Sequence, residues 1–172
     1  MNRHRSLALA VALLLAVTLA PAAHAAGVAW KDWNSGLRDA ATAQKPVLVD
    51  VYTDWCTWCK RMDQDVYTKP EVRKYLSDHF VIVRLNAEYT TPAKYEGRAY
   101  TSKTLAERFR VNGYPTTIFL RADGTHIANV PGYVPADKFM LLLQYIGDGH
   151  MERGVTYDEF VRRQATPAPD GN

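Results

Sequence analysis

The chain has 172 residues, 47% of them apolar, with 21 lysines and arginines against 18 aspartates and glutamates for a formal charge of +3. This is enough for one domain with a sizeable core. Two of the positive charges, Arg3 and Arg5, sit in a leading segment expected to be removed, which leaves about +1 and takes away the electrostatic argument for nucleic-acid binding.

In that leading segment Arg3, His4 and Arg5 precede an apolar stretch from Leu7 to Ala20. Pro21 to Ala25 then places Ala23 and Ala25 in an Ala-x-Ala arrangement. The pattern is that of an export signal cleaved after Ala25. An uncleaved anchor is the alternative, but about 14 apolar residues are short against the ~20 that span a bilayer. No cysteine directly follows the apolar stretch, and no second apolar stretch is long enough to cross a membrane. The expected organisation is a signal peptide over 1–25, a folded domain over 26–147, and a C-terminal extension with a frayed tail over 148–172. Export implies a periplasm-like compartment in which a disulfide can persist.

From Val28 to Gln44, Trp30, Trp33, Leu37 and Ala40 recur at three- and four-residue spacing, which predicts an amphipathic helix with both tryptophans on its buried stripe. Lys45-Pro46 ends it and leads into an apolar, β-branched strand, Val47 to Tyr52. Asp50 lies inside this strand. A carboxylate there is costly to ionise unpaired. Either it sits beneath the following helix as an acid of raised pKa that exchanges a proton with a thiol, or it lies at a strand edge and reaches water.

Thr53-Asp54-Trp55-Cys56-Thr57-Trp58-Cys59 then turns into a helix carrying both cysteines of the chain. Cys56 falls at a helix N-terminus, where free N–H groups and the helix dipole stabilise a thiolate. A Cys56–Cys59 bond closes too short a loop to serve as a staple. Zinc would need two more ligands, and His79 is not at a suitable spacing. A reversible redox pair is the reading that remains. Trp55 and Trp58 would screen the disulfide and offer an apolar face to a protein substrate. Lys60 and Arg61 are nearby cations, and Asp54 and Asp63 are expected to be solvated.

The helix continues toward Val66, breaks at Tyr67-Thr68-Lys69, and restarts at Pro70. Phe80 to Leu85 reads as a second buried strand. Asn86 to Ala99 is polar and turn-prone and is expected to be a surface insertion. Thr101 to Phe109 returns to helix. Gly113-Tyr114-Pro115-Thr116 enters the strand Ile118 to Leu120; a cis Tyr114–Pro115 bond would present the Tyr114 backbone to an extended substrate, although sequence does not fix the isomer. Ala122 to Thr125 is a hairpin signal, His126 to Val130 the returning strand, and Pro135 to Ile146 a helix covering the sheet. Thr156-x-x-Glu159 has capping-box spacing for a last short helix around Phe160. The remaining histidines form no cluster, so no metal site is expected.

This order of elements, with Asp50, Trp55-Cys56-Thr57-Trp58-Cys59-Lys60 and Gly113-Tyr114-Pro115-Thr116, resembles the thioredoxin fold over Asp32 to Ile146. The resemblance implies an α/β protein with a central mixed β-sheet flanked by helices, here with a short C-terminal helical extension. It further implies Cys56 as attacking thiolate, Cys59 as resolving thiol, Asp50 as buried proton acceptor and Pro115 as a cis-proline beside the disulfide. Val49 to Lys60 and Val130-Pro131-Gly132-Tyr133 are similar to the carboxy-terminal domain of the transmembrane thiol:disulfide interchange reductases, and to the small exported thioredoxins of sulfur-oxidation clusters. Thr57-Trp58 replaces the Gly-Pro of ordinary thioredoxins.

The expected function is a periplasmic thiol–disulfide oxidoreductase that reduces protein disulfides through Cys56 and Cys59. A disulfide-donating oxidase, a non-catalytic thioredoxin-fold chaperone, and a structural disulfide domain are the alternatives. Substrate contacts are expected from Trp55, Thr57, Trp58, Tyr114 and Pro115. No cofactor is expected. The expected partners are a disulfide-containing exported protein and a membrane-bound thiol donor for recycling, the protein itself being a monomer.

Overall fold

The computed structural model describes residues 28–165, so the expected signal peptide and the Thr166–Asn172 tail lie outside the described residues. Helix α1 (Trp33–Ala43) leads to β1 (Val47–Tyr52), α2 (Thr57–Met62), a π-helical turn (Asp63–Tyr67), α3 (Pro70–His79) and β2 (Val81–Asn86). A hairpin of β3 (Pro92–Tyr95) and β4 (Arg98–Thr101) follows, then α4 (Ser102–Arg108), β5 (Thr116–Leu120), β6 (His126–Pro131), α5 (Ala136–Gly147) and α6 (Tyr157–Ala165).

The main sheet has strand order β2-β1-β5-β6, with β1 parallel to β2 and antiparallel to β5, and β5 antiparallel to β6. Side chains alternate across a strand, and β1 shows the result. Val47, Val49 and Val51 pack with Trp33, Leu105 and Phe109 on one face; Leu48 packs with Met62, Val66, Phe119 and Phe139 on the other. Asp50 shares the second face, the one covered by α2 and α5. Helix α1 lies so close to β2 that a Cβ on Gly36 would fall 2.2 Å from Val83 Cγ2, so only glycine fits there.

Two expectations are corrected. Trp30 and Trp33 do not share a helical stripe. The Asp32 side chain caps α1 by accepting from Ser35 N–H at 3.0 Å, which keeps Asp32 extended and delays the helix to Trp33. Lys31 instead pairs in parallel with Val83 at the outer edge of β2. Trp30 therefore packs with the α2 face and Trp33 with the α1 face.

The segment Asn86 to Ala99 is likewise not a surface insertion. It holds β3 and the start of a docked hairpin whose Ala93 and Tyr95 are core residues. Tyr95 packs on Trp33 and Phe109, and Trp33 Nε1 donates to the Lys94 carbonyl at 2.8 Å. The alternation exposed, buried, exposed, buried over Pro92–Tyr95 spans too few residues to outweigh the polar composition around it.

At the other end, Phe160 of α6 is buried against Tyr145 of α5. Thr156 Oγ1 accepts from Glu159 N–H at 3.3 Å.

Candidate redox site

The C-terminal end of β1 delivers the chain into a tight turn, closed by Cys56 N–H to the Thr53 carbonyl at 3.2 Å. Cys56 is the N-cap of α2, in extended backbone, and its Sγ accepts from the Cys59 N–H at 3.0 Å. The sulfur thus takes the place that a serine or aspartate oxygen takes in an ordinary cap. Cys56 and Cys59 are joined by a disulfide. Each is only 4% exposed, so access is by a narrow approach.

Beneath α2 lies a charged cluster. Asp50 is 1% exposed. Its Oδ2 accepts from Arg84 Nε at 3.0 Å, and Arg84 Nη2 also donates to Asp63 Oδ1. Strand register explains the pairing, since Asp50 and Arg84 are direct partners across β1 and β2. The Arg84 guanidinium is stacked between Trp30, 4.8 Å from the ring centroid, and Tyr52, at 4.6 Å. Burial pushes the Asp50 carboxyl up to about 6, against the pull of Arg84 and with a smaller push from Asp63. Asp63 is four residues after Cys59 and therefore on the same side of the helix, which places the Asp50–Arg84–Asp63 cluster under the Cys59 turn. The Tyr67 and Thr117 hydroxyls are buried beside this cluster, and Thr117 is the β5 residue opposite Asp50. Burial, and then the Asp50 charge, push the Tyr67 phenol well above its ordinary range.

The rim is aromatic on both sides. Trp55 and Trp58 are 65% and 57% exposed. Trp55 meets Tyr114 edge to face at 5.9 Å, and Trp58 lies 5.6 Å from Tyr133. The Tyr114–Pro115 bond is cis, and Pro115 is buried while Thr57 is exposed. The Pro115 carbonyl accepts from Gly132 N–H at 2.8 Å, which ties the proline turn to the segment carrying Tyr133.

The loop after β2 braces the cysteine turn. Asp54 accepts from Asn86 Nδ2 at 3.0 Å and from the Tyr89 hydroxyl at 2.9 Å, and Trp55 Nε1 donates to Glu88 Oε1 at 3.0 Å. Among the described residues no group of histidine, cysteine and carboxylate side chains is arranged to hold a metal. A groove of about 460 Å³ beside Pro46 and Ile146 lies at the opposite end of β1 from the cysteines.

Residues 33–147 match the family described as "Thioredoxin-like domain". The chain belongs to the thioredoxin-like family. Relatives of this thioredoxin-like chain include the thiol:disulfide interchange protein DsbD of Ralstonia nicotianae, 32% identical over 112 residues, which are 64% of this chain and 17% of that protein. DsbD of Pectobacterium atrosepticum is 31% identical over 131 residues, 75% of this chain and 20% of the relative. The chain thus spans about a fifth or less of these relatives. Among solved structures, the oxidised C-terminal domain of Neisseria meningitidis DsbD aligns with a TM-score of 0.50 at 26% identity, covering 67% of this chain and 96% of that one. A thioredoxin from Thermus thermophilus aligns with a TM-score of 0.61 at 23% identity, over 75% and 94% of the two chains; this likeness concerns the fold. Family and disulfide together support a thioredoxin-like oxidoreductase.

The thioredoxin-like scaffold brings Cys56, Cys59, Trp55, Trp58, Tyr114 and Pro115 to one end of the sheet, with Asp50 buried below. Sequence reasoning missed Arg84, Glu88 and Tyr89, and took Asp54 and Asp63 to be merely solvated. Arg84 carries the same signal as Asp50, a charge inside the apolar run Val81-Ile82-Val83-Arg84-Leu85. The loop residues carry none, because their role arises from packing between segments distant in sequence.

Proposed function

We propose that the chain is a periplasmic protein-disulfide reductase. The observation that carries this reading is the Cys56–Cys59 disulfide at the N-cap of α2, with Cys56 Sγ held by the Cys59 N–H. In the reduced protein the Cys56 thiolate attacks a client disulfide, forming a mixed disulfide and expelling the other client sulfur as thiolate. Cys59 then gives up its proton toward Asp50 and attacks Cys56, releasing the reduced client and restoring the intramolecular disulfide.

The carboxylates around the pair support the reductive direction. Asp50, Asp54 and Glu88 flank the pair, and carboxylates disfavour a thiolate. Opposing them are the helix N-terminus, Arg84, which is itself paired with Asp50 and Asp63, and the exposed Lys60 and Arg61, of which Arg61 is engaged by Asp65. A dithiol whose thiolate is poorly stabilised is the stronger reductant. Similarity to DsbD supports a membrane-bound thiol donor as the source of electrons, and supports the periplasm as the location. No helix among the described residues is long and apolar enough to cross a membrane. Clients are disulfide-containing exported proteins. The domain acts as a monomer over residues 26–147, with Trp55, Thr57, Trp58, Tyr114 and Pro115 contacting the client.

The deciding experiment is the equilibrium reduction potential of Cys56–Cys59, read from alkylated thiol fractions in defined dithiol buffers. A value near about −270 mV supports reduction; one near about −120 mV makes the protein a disulfide donor instead.

A further inference from the structure

Next to Trp55 of the cysteine turn, on the Tyr114 side, lies a groove of about 300 Å³ lined by Ala87, Glu88, Lys103, Glu107, Val111 and Tyr114. Its upper edge is Trp55, which the hydrogen bond from Nε1 to Glu88 and the edge-to-face contact with Tyr114 hold in an exposed position. An indole fixed outward in water by a carboxylate is poorly placed for the protein's own packing and well placed for a partner.

Two independent features agree on what that partner presents. The first is aromatic: Trp55, Tyr89 and Tyr114 offer ring surface, which attracts a cation. The second is charge. Glu88 and Glu107 line the groove and Asp54 stands next to Trp55, and no ion pair joins any of the three to another described residue. Lys103 brings one positive charge, so the three carboxylates still leave the rim at about −2. Both glutamates act on Tyr114, whose phenol is pushed up by burial first and then by Glu88 and Glu107.

We propose that this groove seats an arginine or lysine side chain of an extended client segment, two residues from the client cysteine that Cys56 attacks. Side chains two apart in an extended segment project the same way, about 7 Å along the chain, so a cysteine over the disulfide and a cation over the groove are presented together. The proposal rests on the reductase reading above and adds to it a class of client, disulfide segments with a flanking basic residue.

The test uses the protein reduced beforehand with dithiothreitol and freed of it. Four peptides, identical otherwise, carry one cysteine as a mixed disulfide with thionitrobenzoate and either arginine or glutamate two residues before or after it. Cys56 attacks the peptide sulfur, the S–S bond breaks, and thionitrobenzoate leaves with the electron pair and is followed by absorbance. At one of the two positions, arginine is expected to react about tenfold faster than glutamate at low salt. High salt, or the double variant Glu88→Gln and Glu107→Gln, is expected to bring this ratio to within about twofold. The ratio within one protein cancels any change in thiol reactivity, and glutamine keeps an acceptor for Trp55.

Equal rates for arginine and glutamate at both positions overturn the proposal. So does a ratio that persists in the double variant. Hydroxyethyl disulfide, small and uncharged, separates the two readings. If it is reduced without any charge preference among the peptides, only the groove assignment fails; if the protein cannot reduce it at all, the redox reading fails as well.

Discussion

Replacing Asp50 by asparagine is expected to make the oxidised protein more stable at neutral pH and to leave that gain absent in acid. Asp50 titrates at about 6 in the folded chain against an ordinary 3.8, so between those values the folded state holds a proton that the unfolded state has released. Stability attributable to this group is fully present below about pH 4 and is lost as pH rises through about 6. At about 1.4 kcal/mol per pH unit, the interval is worth roughly 3 kcal/mol. Asparagine cannot ionise, keeps a carbonyl oxygen for Arg84 to donate to, and leaves Arg84 its second partner, Asp63. The difference in unfolding free energy between Asp50→Asn and the parent should therefore move by roughly 3 kcal/mol in favour of the variant between pH 4 and pH 7.5. Urea denaturation of the oxidised proteins, followed by tryptophan fluorescence at half-unit pH steps, measures it, and taking the difference cancels the other titrating groups. A difference constant to within about 0.5 kcal/mol across that range would refute the raised carboxyl. The same strain explains a functional use, because a carboxylate held ionised at a cost readily takes up a proton from Cys59.

Removing Arg84 acts in the opposite sense. Arg84→Met leaves Asp50 buried without its cation, and the loss should be roughly 3–5 kcal/mol at pH 8 but much smaller at pH 4.5, where the carboxyl is neutral; urea midpoints that fall equally at both would count against the pairing. Cys59→Ser retains the attacking sulfur and deletes the resolving one, so covalent complexes with clients should accumulate in periplasmic extract and dissolve on adding dithiol. Their absence would argue against thiol exchange.

The order of strands and helices was legible because the main sheet is built from apolar runs bounded by strong punctuation: Pro46 before β1, Pro70 at the start of α3, Asp123-Gly124 at the β5–β6 turn. The cysteine pair was legible because its spacing at a strand-to-helix turn has few other uses. The route of residues 28–32 was not. Three- and four-residue spacing between Trp30, Trp33 and Leu37 fits one helix, yet a single aspartate cap moves the start of that helix past Trp30 and sends the two indoles to opposite faces of the sheet. The β3–β4 hairpin was hidden for a related reason. Ala93 and Tyr95 are buried by α1 and Phe109, partners far away in the chain, while the local composition is polar. Arg84 could have been found by asking where the counter-charge to Asp50 lies, since a buried carboxylate in a central strand calls for a cation one strand away.

The Lys31 bridge has a consequence for solubility. β2 is an outer strand, and an outer strand offers unpaired amides and carbonyls to any other strand of matching register. Here Lys31 N–H reaches the Ile82 carbonyl at 2.9 Å, and Arg84 N–H reaches the Lys31 carbonyl at 3.0 Å, so the incoming chain closes the middle of that border against a second molecule. It also lays Trp30 over Arg84. Peeling this short segment away would open the sheet to self-association and, in the same movement, strip one aromatic wall from the cation that holds Asp50, so that clumping and a disturbed acid would arrive together.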